Sequence, residues 1–297
     1  MKISMIQLNS RPDRAYNLAE ARRLMLKAVQ KEKPDLIVLP EHFDWTGGTV
    51  AEKTAAADLV PGGRAHQMIQ RFAAEHGVAI HAGSILESVP GHDRIFNTSV
   101  IFDANGSQIG TYRKVHLFDI IAPDGKRYAE SETVAPGNQL LIYELRGFRI
   151  ACCICYDLRF SRLFDRLAAE KADVFILPAA FTTQTGKFHW EVLCRARAIE
   201  FQAFMVACGQ CGSYTTPAGE ERHMFGNSMI CDPWGQILVR AQDTPGVFSA
   251  RIDPDRLRQV RSWIPMEAHR LDLDVFPVAT AKAGPKRELL VATQDKS

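Results

Sequence analysis

A chain of 297 residues, 46% of them hydrophobic, is long enough for one large domain or two modest ones with a sizeable core. Its 36 Lys plus Arg stand against 34 Asp plus Glu, a formal charge of +2, and no aromatic-basic stripe offsets it; nucleic acid and membrane surfaces are therefore not expected partners. No apolar run approaches the roughly 20 residues that span a bilayer.

The opening MKISMIQLNS alternates like a strand and lacks the apolar core and cleavage site of a secretory signal, so a cytoplasmic location is expected. Residues 2–8 read as strand, and Leu18, Ala21, Leu24, Met25, Ala28 and Val29 predict a helix over 13–30. The run 35–39 is a buried parallel strand stopped by Pro40, with Glu41 directly after it. A helix over 64–76 and a strand over 78–83 follow. Ser99 to Gly106 then reads as a hairpin on its Asn-Gly.

The second half repeats this order. A strand ending at Cys155 leads into a helix over 159–170, a strand over 173–178, a helix over 188–202, a strand over 204–208 and a second hairpin, 228–235. Both hairpins carry the pattern S-x-I-x-D-x-x-G. The expectation is an α/β fold with two mixed sheets, each drawing strands from both halves, helices outside, and internal pseudo-twofold symmetry. One domain is expected over 1–270, with 271–297 as a tail that is partly mobile or laid at a subunit interface.

Seven cysteines scattered without a small-scaffold pattern point to reduced thiols. Cys208 and Cys211 supply a single CxxC, and Cys152, Cys153 and Cys155 crowd one strand, so neither group makes a zinc site. His189 and Glu191 form an HxE on a helix without further ligands at the next turn. No metal and no cofactor are expected.

The stretch FRIACCICYDLRF, 148–160, places Cys155 where a buried strand gives way to a helix. A helix N-terminus and nearby charges there would lower the thiol pKa, although a cysteine in an apolar strand is usually packing. Glu41 and Cys155 both occupy strand C-terminal ends, where ligands of α/β sheets gather, so they can meet between the sheets. Lys114, in YRKVHLFD, follows a strand that begins near Gln108.

The motifs LPEHF, YRKVHLFD and CYDLRF, followed by PAAFTTQTGKFHWE and RARAIE, resemble in order and separation the Glu-Lys-Cys signatures of the nitrilase superfamily of carbon-nitrogen hydrolases. The HLFD, ESETVAPGN, HWEVLCRARAIE, GQCG and DPWG stretches are most similar to the branch holding omega-amidase and deaminated glutathione amidase. The resemblance covers residues 1 to about 270. It implies a four-layer αββα sandwich and a homodimer or larger assembly.

It also implies cofactor-free hydrolysis of a small carboxylate-bearing amide, a small-molecule substrate, to acid and ammonia. Cys155 would be the nucleophile, Glu41 the general base and acid, and Lys114 with the Tyr156 backbone N–H the oxyanion donors. Glu130 matches a further family glutamate and is assigned to holding Lys114 or the amide. For a substrate carboxylate the candidates are Arg159, Thr182 and Phe181, the last two within PAAFTTQTGKFHWE. Arg159 has the alternative of pairing with Asp157 or another acid. His116 is read as a support rather than a base. The loop 214–223 and the stretch 264–278 depart from the branch pattern, which leaves the acyl group open. N-carbamoyl hydrolysis, a silent scaffold and an oxidation-sensing thiol protein stand as alternatives.

Overall fold

Helix Arg14–Lys31 shows how the local signals act. Asp13 caps it by accepting the Tyr16 N–H at 3.0 Å, and Ala21, Leu24, Met25 and Ala28 form its buried stripe. Helix Arg64–His76 ends at Gly77, whose φ of +61° is a left-handed helix terminus. The computed structural model describes residues 1–271 and 273–280, so most of the expected tail, 281–297, lies outside the described residues. One compact unit spans Met1–Trp263; a second begins at Ile264 and includes helix Met266–His269.

Two sheets carry the first unit. The first runs Gly246–Arg251, Lys2–Gln7, Leu36–Val38, Ala79–His81 and Phe96–Phe102, which pairs with Gln108–Arg113 on one path and Ile85–Ser88 on another. The second runs Ile142–Leu145, Phe148–Cys152, Val174–Ala179, Phe204–Gly209, Met229–Cys231 and Ile237–Arg240. Each has an antiparallel outer strand, three parallel strands, then an antiparallel hairpin. The pseudo-twofold symmetry is plain in that order.

The matched hairpins make it concrete. Asp103 Oδ1 accepts the N–H groups of Asn105 and Ser107 at 2.9 and 2.8 Å. Asp232 Oδ1 accepts those of Trp234 and Gln236 at 3.0 and 2.8 Å. Gly106 and Gly235 take φ of +78° and +85°, which explains why both motifs end in glycine.

One expectation is overturned. The sheets do not each mix strands of both halves: the first belongs to the first half except for Gly246–Arg251, and the second lies wholly in the second half. Strands closest along the chain paired within each half, and a single late strand returned to Lys2–Gln7.

Alternation along the strands sets the layers. Ile3, Met5, Leu36 and Val38 belong to the core shared with Ile150, Phe175, Leu177 and Met205 of the other sheet. Ile6, Ile37, Leu39 and Ile80 point the other way, onto Leu24, Met25, Ile69 and Phe72 of the covering helices. This is the four-layer αββα sandwich. Among the described residues no helix is long and apolar enough to cross a membrane.

Candidate active site

Glu41 and Cys155 each lie three residues beyond the end of a parallel strand, Leu36–Val38 and Phe148–Cys152 respectively. Cys155 is not the last strand residue, as expected from sequence, and no α-helix starts on it; it opens a 3-10 turn, Cys155–Arg159, with φ +46°. A non-glycine residue held there stores about 1–3 kcal/mol of backbone strain, which the surroundings must impose. His42, after Glu41, has φ +56°. The Glu41 loop is packed so tightly that a Cβ on Gly83 would lie 2.0 Å from the Pro40 carbonyl.

Asp157 fixes the turn around Cys155. Its Oδ2 accepts the Ile154 N–H at 2.8 Å and the Tyr112 hydroxyl at 2.7 Å. Its Oδ1 accepts the His116 N–H at 3.1 Å and contacts His116 Nδ1 at 2.7 Å. His116 stacks on Phe160 with centroids 3.7 Å apart, so it supports the turn, as expected. Asp157→Asn places an amide N–H against at least one of these donors. The expected result is a loss of about 2–4 kcal/mol in denaturant unfolding, together with lower turnover. An unchanged midpoint would show that Asp157 does not hold this turn.

Lys114 follows strand Gln108–Arg113, and its Nζ donates to Glu41 Oε1 at 2.9 Å and to Glu130 Oε2 at 2.8 Å. Lys114 and Glu41 are each 2% exposed. Glu130 also accepts the Phe118 N–H at 2.7 Å. Asn97, missed in the sequence, donates to Glu41 at 2.9 Å and to Glu130 at 3.3 Å. Its one signal is a buried amide inside the otherwise strand-like FNTSVIF.

Burial opposes charge on every member of this cluster, and mutual attraction wins. Burial alone would raise the Glu41 carboxyl; the Lys114 ammonium holds it below its ordinary value. Burial would raise Glu130 too, but Lys114 brings it down to about 2. Lys114 itself, despite burial, is kept charged by Glu130 and Glu41. His42 is lowered to about 4 by burial and stays neutral.

Cys155 goes the opposite way from the expectation. Burial pushes its thiol well up and the neighbouring Glu41 carboxylate adds to this, while Lys114 and the Ala180 N–H only partly oppose it. The resting sulfur is a thiol that shares the cavity lining with the Glu41 carboxylate, a nucleophile suited to activation by an adjacent base rather than by a depressed pKa. Cys152 and Cys153 are fully buried and pushed up as well.

One cavity of about 650 Å³ is lined by Glu41, Lys114, Glu130, Cys155, Tyr156 and Arg159, and also by Phe181 and Thr182. Every site residue expected from sequence therefore faces the same space. Arg159 does not pair with Asp157: its Nη1 contacts His189 Nδ1 at 3.2 Å, and its guanidinium lies 5.4 Å from the Phe181 ring centroid and 5.9 Å from that of Tyr156. Thr182 Oγ1 bonds Thr185 Oγ1 at 3.1 Å. Glu191 turns to Arg240 at 2.6 Å, so the HxE pair is not gathered for a metal. Glu41, His42 and Glu130 offer atoms within 4.8 Å of one another, but the Lys114 ammonium already bonds both carboxylates.

The fold and this constellation meet in one comparison: the carbon-nitrogen hydrolase family model matches residues 2–262. The chain belongs to the carbon-nitrogen hydrolase family. A deaminated glutathione amidase of Synechocystis sp. (strain PCC 6803 / GT-S) is 39% identical over 269 residues, 90% of this hydrolase and 96% of the relative. The omega-amidase NIT3 of Saccharomyces cerevisiae is 33% identical over 275 residues, 91% and 93% of the two chains. The crystal structure of Saccharomyces cerevisiae Nit3, described as a member of branch 10 of the nitrilase superfamily, superposes with a TM-score of 0.80 at 30% identity, covering 90% of this hydrolase and 94% of that chain. The departing loop belongs to the hairpin Cys211–Thr215 with Glu221–Phe225, and Tyr214, Thr216 and Arg222 line the cavity of this hydrolase.

Proposed function

We propose that the protein hydrolyses a small carboxylate-bearing amide to acid and ammonia through a thioester on Cys155. The carrying observation is that Cys155, Glu41 and Lys114 line one cavity, with Lys114 bonded to Glu41. Relatives named deaminated glutathione amidase and omega-amidase support the substrate class.

In this reading Glu41 takes the thiol proton as Sγ attacks the amide carbonyl. Lys114 Nζ and the Tyr156 N–H carry the charge of the tetrahedral oxyanion. Collapse breaks the C–N bond, and the proton held on Glu41 goes to the departing nitrogen, releasing ammonia. Glu41 then takes a proton from water, whose oxygen attacks the thioester. When the C–S bond breaks, that proton returns to sulfur. Glu130, locked to Lys114, keeps the ammonium aimed at the reacting carbonyl.

Ammonia release from ω-monoamides, set against N-carbamoyl amines, tests the reaction class. Turnover of the amides alone is expected; turnover of the carbamoyl amines alone would replace amide with carbamoyl hydrolysis, and no turnover of either would leave a silent scaffold.

The depressed Glu130 carboxyl has a pH signature. Its folded pKa of about 2 lies below the ordinary 4.5, so its contribution to stability is complete above about 4.5 and is lost as the pH falls toward about 2. Melting temperatures of the wild type are expected to drop more steeply through that window than those of Glu130→Gln. Parallel profiles would remove the depressed carboxyl from the account.

The reading includes a cytoplasmic location, which the seven free cysteines support. It also includes a homodimer or larger assembly. Phe188, Val192 and Ile199, 75%, 65% and 47% exposed on one side of helix Thr183–Phe201, supply an apolar face for it.

A further inference from the structure

The charges lining the cavity do not balance. Four carboxylates line it, and a cation already holds each one: Lys114 holds Glu41 and Glu130, Arg127 holds Glu132 at 2.8 Å, and Arg222 and Lys126 approach Glu220 at 3.7 and 3.8 Å. Two lining cations have no carboxylate within ion-pair distance among the described residues. One is Arg159, which still has His189 and two aromatic rings. The other is Lys53, whose side chain makes no hydrogen bond or ion pair with the described residues.

Lys53 stands on helix Val50–Ala55. The nearest acid on that helix, Glu52, is used up in the capping box: its Oε2 accepts the Thr49 N–H at 2.7 Å, and its own N–H donates to Thr49 Oγ1 at 3.1 Å. The cap fixes the helix start, and Lys53, half-buried, lines the space that Cys155 faces. It shares that lining with Glu41, Lys114 and Glu130. An ammonium so placed, half-buried and with its side chain unpaired among the described residues, gains from an incoming anion.

We propose that Lys53 recognises the carboxylate of the substrate and makes the enzyme select amides whose far end is anionic, with Arg159 as a second anchor on the wall after the nucleophile. This deepens the amide-hydrolase reading and rests on it. A neutral amide of the same shape covers the half-buried Lys53 without pairing it, so discrimination comes from both the gained contact and the desolvation left uncompensated. Lys53 is a specificity residue, distinct from the groups that move protons.

The test compares succinamate with its uncharged isostere isocaproamide, on wild type and on Lys53→Met. Loss of one charge-assisted bond should lower the ratio of kcat/KM for succinamate over isocaproamide by about 10- to 100-fold, chiefly through KM. Lys53→Arg should restore part of the ratio. An equal loss on both amides would mean that Lys53 acts only through the Glu130 cluster, and an unchanged ratio would mean that it faces solvent; either overturns the proposal.

Calorimetric binding of the same two amides to Cys155→Ala separates this proposal from the reaction itself. Preference for succinamate that disappears in the Lys53→Met, Cys155→Ala double variant upholds the site even if wild type hydrolyses neither amide. Equal binding of both amides overturns the site even if both are hydrolysed.

Discussion

Cys155→Ala is expected to reduce amide turnover by more than about 1000-fold while the fold survives. The substitution removes one sulfur from a side chain that is 7% exposed at the cavity wall. It leaves untouched the Asp157 bonds that impose the turn. Circular dichroism should therefore be unchanged. The neighbours give the control, because Cys152 and Cys153 are fully buried and lie outside the cavity lining. Changing either to alanine is expected to destabilise by about 1–2 kcal/mol through lost packing and to keep turnover within a few-fold. If Cys153→Ala abolished turnover while Cys155→Ala did not, the nucleophile would have been misplaced.

Lys114→Met is expected to affect activity and stability together. Without the ammonium, Glu41 and Glu130 lose the charge that holds both carboxyls down, and two buried acids then face one cavity alone. Removing one partner of a buried ionic group costs about 3–5 kcal/mol, and removing an oxyanion donor costs roughly 100- to 1000-fold in rate. The two losses are separable. Adding Glu130→Gln to Lys114→Met removes one of the stranded acids, so the double variant should recover part of the stability and none of the turnover. Recovery of turnover would show that Lys114 serves only to neutralise Glu130.

Glu41, Lys114 and Cys155 are picked out by the resemblance carried in LPEHF, YRKVHLFD and CYDLRF; a proline-stopped apolar strand before Glu41 and a cluster of cysteines before Cys155 add local signals, whereas Lys114 alone reads as a surface lysine. The central strands are legible for the ordinary reason that their apolar runs are strong, and helix Arg64–His76 lies where its periodicity places it, whereas helix Thr183–Phe201 begins five residues before the expected 188. The partition of the sheets was not legible. Local periodicity says that Lys2–Gln7 and Phe148–Cys152 are strands, but which neighbour each pairs with is decided by chain connectivity and by the late return of Gly246–Arg251.

The state of the sulfur was hidden for a related reason. From sequence, a strand-to-helix junction suggests a lowered thiol pKa; burial and an adjacent carboxylate reverse that direction, and both arise only when distant segments assemble. Asn97 and Lys53 were missed on opposite grounds. Asn97 is a single amide in an apolar strand, and Lys53 sits in a stretch that reads from sequence as a Gly- and Thr-containing loop, where the structure has helix Val50–Ala55. Only the cavity shows that Lys53 faces inward without an acid to meet it.

The central claim is that Cys155 becomes a thioester during turnover. Intact-mass spectrometry of the enzyme quenched with a slowly hydrolysed amide, followed by peptide mapping, measures this directly. The account predicts a mass increase equal to the acyl group, mapped to Cys155 and missing from Cys155→Ala. An adduct on Cys152 or Cys153, or continued turnover with no adduct at any quench time while acylation is not rate-limiting, would contradict it.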